Sequence, residues 1–232
     1  MTDSEGALAL PTRTPRRLPR GQNALPRTVV AATQRRRLCE AAALVVAEKS
    51  FGGTNVSDIV RAAGVSKTAF YEHFENKAEC LLAAYEEGID EHFQAVIAAA
   101  ARADGDRLDR FRASVRAYLD GLSQHPEYAR VFVLEIHAVG PEAAVRRERA
   151  QRQYVDLMRS SYESFRRHRP GLGLLPDEVF AAAVTAGNEL IAERIRRGGV
   201  KELGSLQGLI MYTYLALMGM PEEARAELGG TR

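Results

Sequence analysis

Four polar side chains, Lys67, Thr68, Tyr71 and His73, fall on one side of a short segment whose other side carries Val65, Phe70 and Phe74. Glu72 is the one carboxylate beside them, so this polar side suits an anionic groove. A lysine can donate to guanine, and a threonine or alanine methyl can meet the methyl of thymine. Lys67, Thr68 and Tyr71, with Ser66 and Ala69 beside them, are therefore candidate base readers. Thr54 and Asn55 precede another short helix, at its positive end, where a phosphate can bind. Capping alone is their other role. Together with Tyr71, His73 and Lys77 they are candidate contacts to a nucleic-acid backbone. Packing at the end of its helix is a second reading of His73.

Other chemistry finds less support. His73, His92, His125, His137 and His168 show no metal-binding spacing, and there is no Ser-His-Asp pattern or glycine-rich phosphate loop. No cofactor and no metal are expected. Glu135 and His137 could serve acid–base chemistry in a helical enzyme, but at i and i+2 they point to different faces. Cys39 and Cys80 are too few for a disulfide framework and too separated for a zinc motif. A redox-sensing pair is the alternative to plain apolar burial for them.

The cationic face needs a rigid support, and the neighbouring residues supply one. Val56, Ile59, Val60 and Ala63 recur at helical spacing. Asn55 is the expected N-cap, with Asp58 completing a variant of the capping box, each cap contributing about 1 kcal/mol. Gly64 can take the left-handed conformation that ends a helix, and Ser66 can cap the next. This is a helix-turn-helix, whose second helix enters the major groove. A preceding helix is expected from about Val30 to Lys49, with Leu38, Ala41, Ala42 and Val45 inward and Gly52-Gly53 ending it. Asn76 and Glu79 form another capping box and open a long helix to about Arg102. Leu82, Tyr85, Ile89, Phe93, Val96 and Ile97 form its apolar stripe.

The run DIVRAAGVSKTAFYEHFENKAECLLAAY resembles the DNA-binding signature of the tetracycline-repressor (TetR) family of bacterial regulators. Asp58-Ile59, Ala63-Gly64-Val65-Ser66, Phe70-Tyr71-x-His73-Phe74 and Asn76-Lys77-x-x-x-Leu81 carry the likeness, over roughly residues 30 to 85. Asn55 stands where the family often has Thr, and Val60 where it usually has Ala. The resemblance implies that Lys77 touches the DNA backbone. It also extends, less specifically, to Ala129-Arg130-Val131-Phe132, to Glu135 before Gly140-Pro141, and to Ala186-Gly187-Asn188-Glu189-Leu190. It implies an effector domain whose last two helices, roughly 179–197 and 203–218, form a four-helix bundle with a partner chain.

The 232 residues allow one large or two small domains, and the composition, 46% hydrophobic and 27% charged, is that of an ordinary globular protein. A net charge of +2 confines any nucleic-acid surface to local clusters. No secretory signal is visible, and Leu209 to Met220 is too short to cross a bilayer, so no membrane partner and a reducing cytoplasm are expected. Residues 1–28 hold Pro11, Pro15, Pro19 and Pro26 and read as a disordered arm. Arg13, Arg16, Arg17, Arg20, Arg27, Arg35, Arg36 and Arg37 follow one another with no acidic residue between. That arm could reach phosphates or a minor groove. Residues 29–76 are the expected DNA-binding domain and 77–232 the effector-binding and dimerisation domain.

Beyond the bridging helix, helices are expected over 108–125, 127–139, 142–169, 177–197 and 203–218, and no strand signal appears. The expectation is an all-α fold of about nine helices. The stretch LQGLIMYTYLALMG is apolar nearly all round and must be covered on both sides, which a dimer supplies. Candidate pocket residues are Phe93, Phe111, Tyr118, Phe132, Ile136, Tyr154, Met158 and Tyr162, with Asn188, Glu135 and His137 as polar positions. Asn188 could instead bond across a dimer interface. Few charged residues face inward, so a largely hydrophobic effector is expected. The function these residues imply is a dimeric, ligand-responsive regulator, a repressor released from a palindrome-like operator by a small molecule.

Overall fold

A computed structural model of the chain describes residues 27–229, so nearly all of the expected arginine arm lies outside the described residues. Those residues form ten α-helices and two 3-10 segments and contain no strand: α1 (Arg27–Gly53), α2 (Val56–Ala63), α3 (Lys67–Tyr71), α4 (Lys77–Arg102), α5 (Arg107–Gln124), α6 (Pro126–Val133), α7 (Pro141–Arg166), α8 (Asp177–Arg196), α9 (Gln207–Leu217) and α10 (Pro221–Gly229). The 3-10 segments are Glu135–Ala138 and Val200–Leu206. The all-helical expectation holds. The expected helix 127–139 divides, because α6 stops at Val133 and a 3-10 turn follows.

The local signals around the head act as the sequence implies. Asn55 accepts from the Asp58 N–H at 3.0 Å while the Asp58 carboxylate accepts from the Asn55 N–H, a reciprocal capping box. Gly64 adopts φ 65°, ψ 38°, the left-handed geometry that ends α2. Ser66 then caps α3 through the Ala69 N–H at 3.0 Å. A five-residue helix has little stability of its own, so α3 stays in place because Phe70 is fully buried and packs at a tilt against Phe74.

The end of α1 differs from expectation. The glycines do not break it; Ser50 does, at φ 64° and ψ 165°, a region that a residue with a Cβ rarely occupies. The corner is held from three sides. Thr54 donates its hydroxyl to the Ser50 carbonyl at 2.8 Å. The freed Phe51 N–H donates to Glu135 Oε2 at 3.2 Å. Lys77 donates to the carbonyls of Phe51 and Thr54, at 2.8 and 2.7 Å.

Two cores result. One joins Leu38, Ile59, Phe70, Phe74, Leu81 and Tyr85 to Phe132 and Ile136, so head, bridging helix and the α6 region share one apolar interior. The other fills the body between α5, α7, α8 and α9. The apolar α9 is covered partly from within its own chain. Helix α10, which the sequence reading did not foresee, packs so closely that a Cβ on Gly208 would lie 2.9 Å from the Glu227 carbonyl oxygen. Leu209 and Leu217 remain exposed.

Candidate nucleic-acid interface and ligand chamber

Ser66, Lys67, Thr68 and Tyr71 all lie exposed along α3, and Tyr71 keeps 58% of its surface in solvent. They form one polar ridge above the buried Phe70. Four other candidates are placed differently. Ala69 is buried against the core and offers no methyl to a base. Thr54 is 2% exposed, and its hydroxyl is committed to Ser50. His73 is half-buried, with its Nε2 enclosed and unpartnered. Lys77 lies over the Phe51 ring, 4.5 Å from its centroid, and neutralises the carbonyl end of α1. In this geometry Lys77 builds the corner that orients α2. Asn55 keeps its capping role and an exposed position.

Further residues position the head, most of them across long sequence separations. Arg37, nearly buried in α1, donates to the carbonyl of Ala63 at the end of α2. Lys49 and Arg61 both pair with Asp58, at 3.0 and 2.8 Å. The Lys49 hydrogen bond holds the Asp58 carboxyl below its ordinary range and so preserves the cap in mild acid. Arg35 lies 5.3 Å above the Phe74 ring and pairs with Glu87 of α4.

In the body, Phe111, Tyr118, Tyr154, Met158 and Asn188 converge on one apolar chamber of about 60 Å³. Val96, Ser114, Val184, Ile191, Ile210 and Tyr214 complete its wall. Tyr118, Tyr154 and Asn188 also wall a second, more polar chamber of about 190 Å³, which holds Phe132, His137, Arg147, Gln151 and Thr185. A third recess of about 170 Å³ shares Tyr85, Ile89 and Ala150 with the second and carries Arg146, Arg149 and Gln153 between α4 and α7. Polarity thus rises from the innermost chamber outward, ending at charges of both signs, Arg146 and Arg149 with Glu86 and Asp90.

Three expected lining residues are elsewhere. Ile136 is fully buried in the head core. Tyr162 donates its hydroxyl to the Gly173 carbonyl at 2.8 Å and packs on Phe180. Phe93 lies edge-on behind Tyr154, centroids 5.2 Å apart, and reaches neither chamber. Each belongs to the right helical face, but the face is wider than the cavity.

Glu135 and His137 do not share a site. Glu135 is engaged by the Phe51 N–H and, at 3.6 Å, by Arg130, whereas His137 lines the second chamber. Cys39 and Cys80 are both buried. Cys80 donates to the Leu38 carbonyl at 3.5 Å, and its thiol is pushed far up by hydrogen bonding to Cys39 and by burial, which disfavours the reactive thiolate. Among the described residues no group of three His, Cys, Asp or Glu could hold a metal ion, and no helix is long and apolar enough to cross a membrane.

His92, overlooked in the sequence, is 2% exposed and stacks on Tyr118 at 4.8 Å. Its Nε2–H donates to the Tyr118 carbonyl at 3.0 Å. Burial holds the imidazole neutral and lowers its pKa to about 4. Between pH 6.5 and 4 the unfolded chain binds a proton that the folded chain refuses, so stability falls with pH across that window. The expected loss from pH 7 to 4 is about 3 kcal/mol from this group. His92→Gln should flatten that acid limb in urea titrations run at several pH values.

The fold and the exposed ridge of α3 define a helix-turn-helix DNA-binding protein. Residues 38–84 match the family model of bacterial regulatory proteins, tetR family, over the segment that holds the helix-turn-helix. The chain is 26% identical over 173 residues to the HTH-type transcriptional activator FasR of Mycolicibacterium smegmatis, covering 72% of this chain and 77% of that one. Its fold is similar to the fatty acid degradation regulator FadR of Bacillus halodurans, with TM-score 0.70, 18% identity, and 80% and 95% of the two chains covered. It is similar also to FadR of Bacillus subtilis solved with stearoyl-CoA, with TM-score 0.69, 16% identity, and 80% and 98% covered.

Proposed function

We propose that this regulator binds an operator as a homodimer and that a fatty-acyl thioester bound in its body sets its affinity for DNA. The observation that carries the proposal is the graded cavity, apolar at Phe111, Met158 and Ile210 and charged at its outer end, where Arg147 and Arg149 stand near Glu189, Asp90 and the Arg146–Glu86 pair. An apolar chain ending in a large anionic group matches that gradient. The likeness to FadR solved with stearoyl-CoA, and to FasR, supports the same class.

The innermost chamber is far smaller than the roughly 300–1,000 Å³ of ordinary ligand sites. A long chain therefore has to spread α5, α7, α8 and α9, and ligand binding becomes mechanical work on the body. Displacement of Phe132 and the 135–138 turn would reach the head through the Glu135–Phe51 bond and through α4. Spacing between the two recognition helices of a dimer would change, and ligand affinity would differ between the DNA-fitting and non-fitting states. The exposed Leu209 and Leu217 on α9 support pairing near α8 and α9. The sign of regulation follows from where the operator lies relative to the promoter; FasR is an activator, whereas repression is the expectation from the sequence.

The test starts with DNA selected from random sequence by the purified protein. Fluorescence anisotropy should show the selected palindrome released as palmitoyl-CoA is added, while coenzyme A alone leaves it bound. Sedimentation should give twice 25.5 kDa. A monomer at micromolar concentration, or release by neither compound, would overturn the corresponding part.

A further inference from the structure

Tyr154 stands at the boundary between the apolar chamber and the polar one, and its ring walls both. Its position is fixed from two sides: Phe93 and Tyr118 both meet it edge-on, at 5.2 and 5.1 Å. The hydroxyl is enclosed and has no hydrogen-bond partner. Its neighbour across the same boundary is satisfied, because the Tyr118 hydroxyl donates to Asn188 Oδ1 at 3.3 Å. Burial raises the Tyr154 pKa well above the usual phenol range, so the group stays protonated and can donate. A buried hydroxyl left unpaired is costly, and native proteins rarely keep one without a use. A phenylalanine would fill the same wall without that cost.

We propose that the Tyr154 hydroxyl is the hydrogen-bond donor to the carbonyl oxygen of the bound acyl group, marking the depth at which the hydrocarbon tail ends. The assignment rests on the acyl-thioester reading above and adds the ligand's register. The tail lies inward among Phe111, Met158 and Ile210, the carbonyl lies at Tyr154, and the anionic remainder runs outward past Arg147. Tyr154 then measures where the acyl group begins, and the apolar chamber beyond it measures length.

The test is a cycle with two proteins and two ligands: wild type and Tyr154→Phe, each titrated calorimetrically with palmitoyl-CoA and with the hexadecyl thioether of coenzyme A, which lacks only the carbonyl oxygen. Wild type should bind the thioester about tenfold more tightly, the size of one hydrogen bond in a dry site. Tyr154→Phe should lose that preference, bind the thioether at least as well as wild type, and melt no lower than wild type without ligand. If the variant keeps the full preference for the thioester, or if wild type shows none, the carbonyl assignment is overturned while the acyl reading stands. If wild type binds neither ligand, the acyl reading fails and this assignment fails with it.

Discussion

Phe70→Ala is expected to weaken operator binding by roughly a hundredfold while leaving ligand binding in the body intact. The reason lies in how little else holds α3. The helix has five residues, one side-chain cap from Ser66, and one fully buried side chain of any size, Phe70. That ring packs at a tilt against Phe74 at 5.8 Å and meets Tyr71 edge-on at 5.4 Å, so it fixes both ends of the exposed ridge. Truncating a buried phenylalanine costs about 3–5 kcal/mol, comparable to the whole local stability of a short docked helix. Most molecules would then carry Lys67, Thr68 and Tyr71 on an undocked segment, and binding must first re-dock it. Anisotropy against the selected operator measures the loss, and calorimetry with palmitoyl-CoA checks the body. Phe70→Leu should recover much of the affinity. An alanine variant that binds DNA normally would mean that the Ser66 cap and the turn alone position α3.

The helix-turn-helix was legible because its determinants are local. Asn55 with Asp58, Gly64, and Ser66 with Ala69 act across three residues or fewer, and each residue type states its own geometry. The bonds that orient this unit on the rest of the protein were not legible. Arg37 reaches Ala63 across 26 residues, Lys77 reaches Phe51 across 26, and Glu135 reaches Phe51 across 84. No spacing rule announces such pairs. Lys77 shows the consequence: its place in the first turn of α4 does not announce the two carbonyls that the corner at Ser50 gives it.

The chamber was half legible for a different reason. Periodicity identifies which residues are inward, but an inward residue can face a neighbour or a void. Tyr154 and Phe93 lie on facing apolar stripes, yet only Tyr154 borders open space. Tyr214 was hidden in a stretch too uniformly apolar to rank its positions, whereas His92 lay in plain sight, three residues after Ile89 on the buried stripe of α4.

Phe132→Ala is expected to keep acyl-CoA binding yet uncouple it from DNA release. Phe132, with Tyr85 and Ala150, walls the second chamber and also belongs to the core shared with the head. Its ring sits edge-on between Tyr85 of α4 and Tyr128 of α6, at 5.2 and 5.3 Å. It also occupies the space that Gly88 leaves on α4, where a Cβ would lie 2.5 Å from two ring carbons. The ring is therefore wedged against the bridging helix and cannot shift without moving it. Loss of the ring should cost about 3–5 kcal/mol and lower Tm by roughly 6–20 °C. That loss alone is structural. The diagnostic quantity is the ratio of operator affinities with and without saturating palmitoyl-CoA, which equals the coupling between the two sites. In wild type the ratio should be well above one; in Phe132→Ala it should approach one, because the ligand can move α6 without pushing α4. Gly88→Ala tests the same contact from the other side, since it keeps the ring but forces it off α4, and the ratio should change there too. An unchanged ratio in both variants would route the signal through His92 and Tyr118, the other place where a chamber wall bears directly on α4.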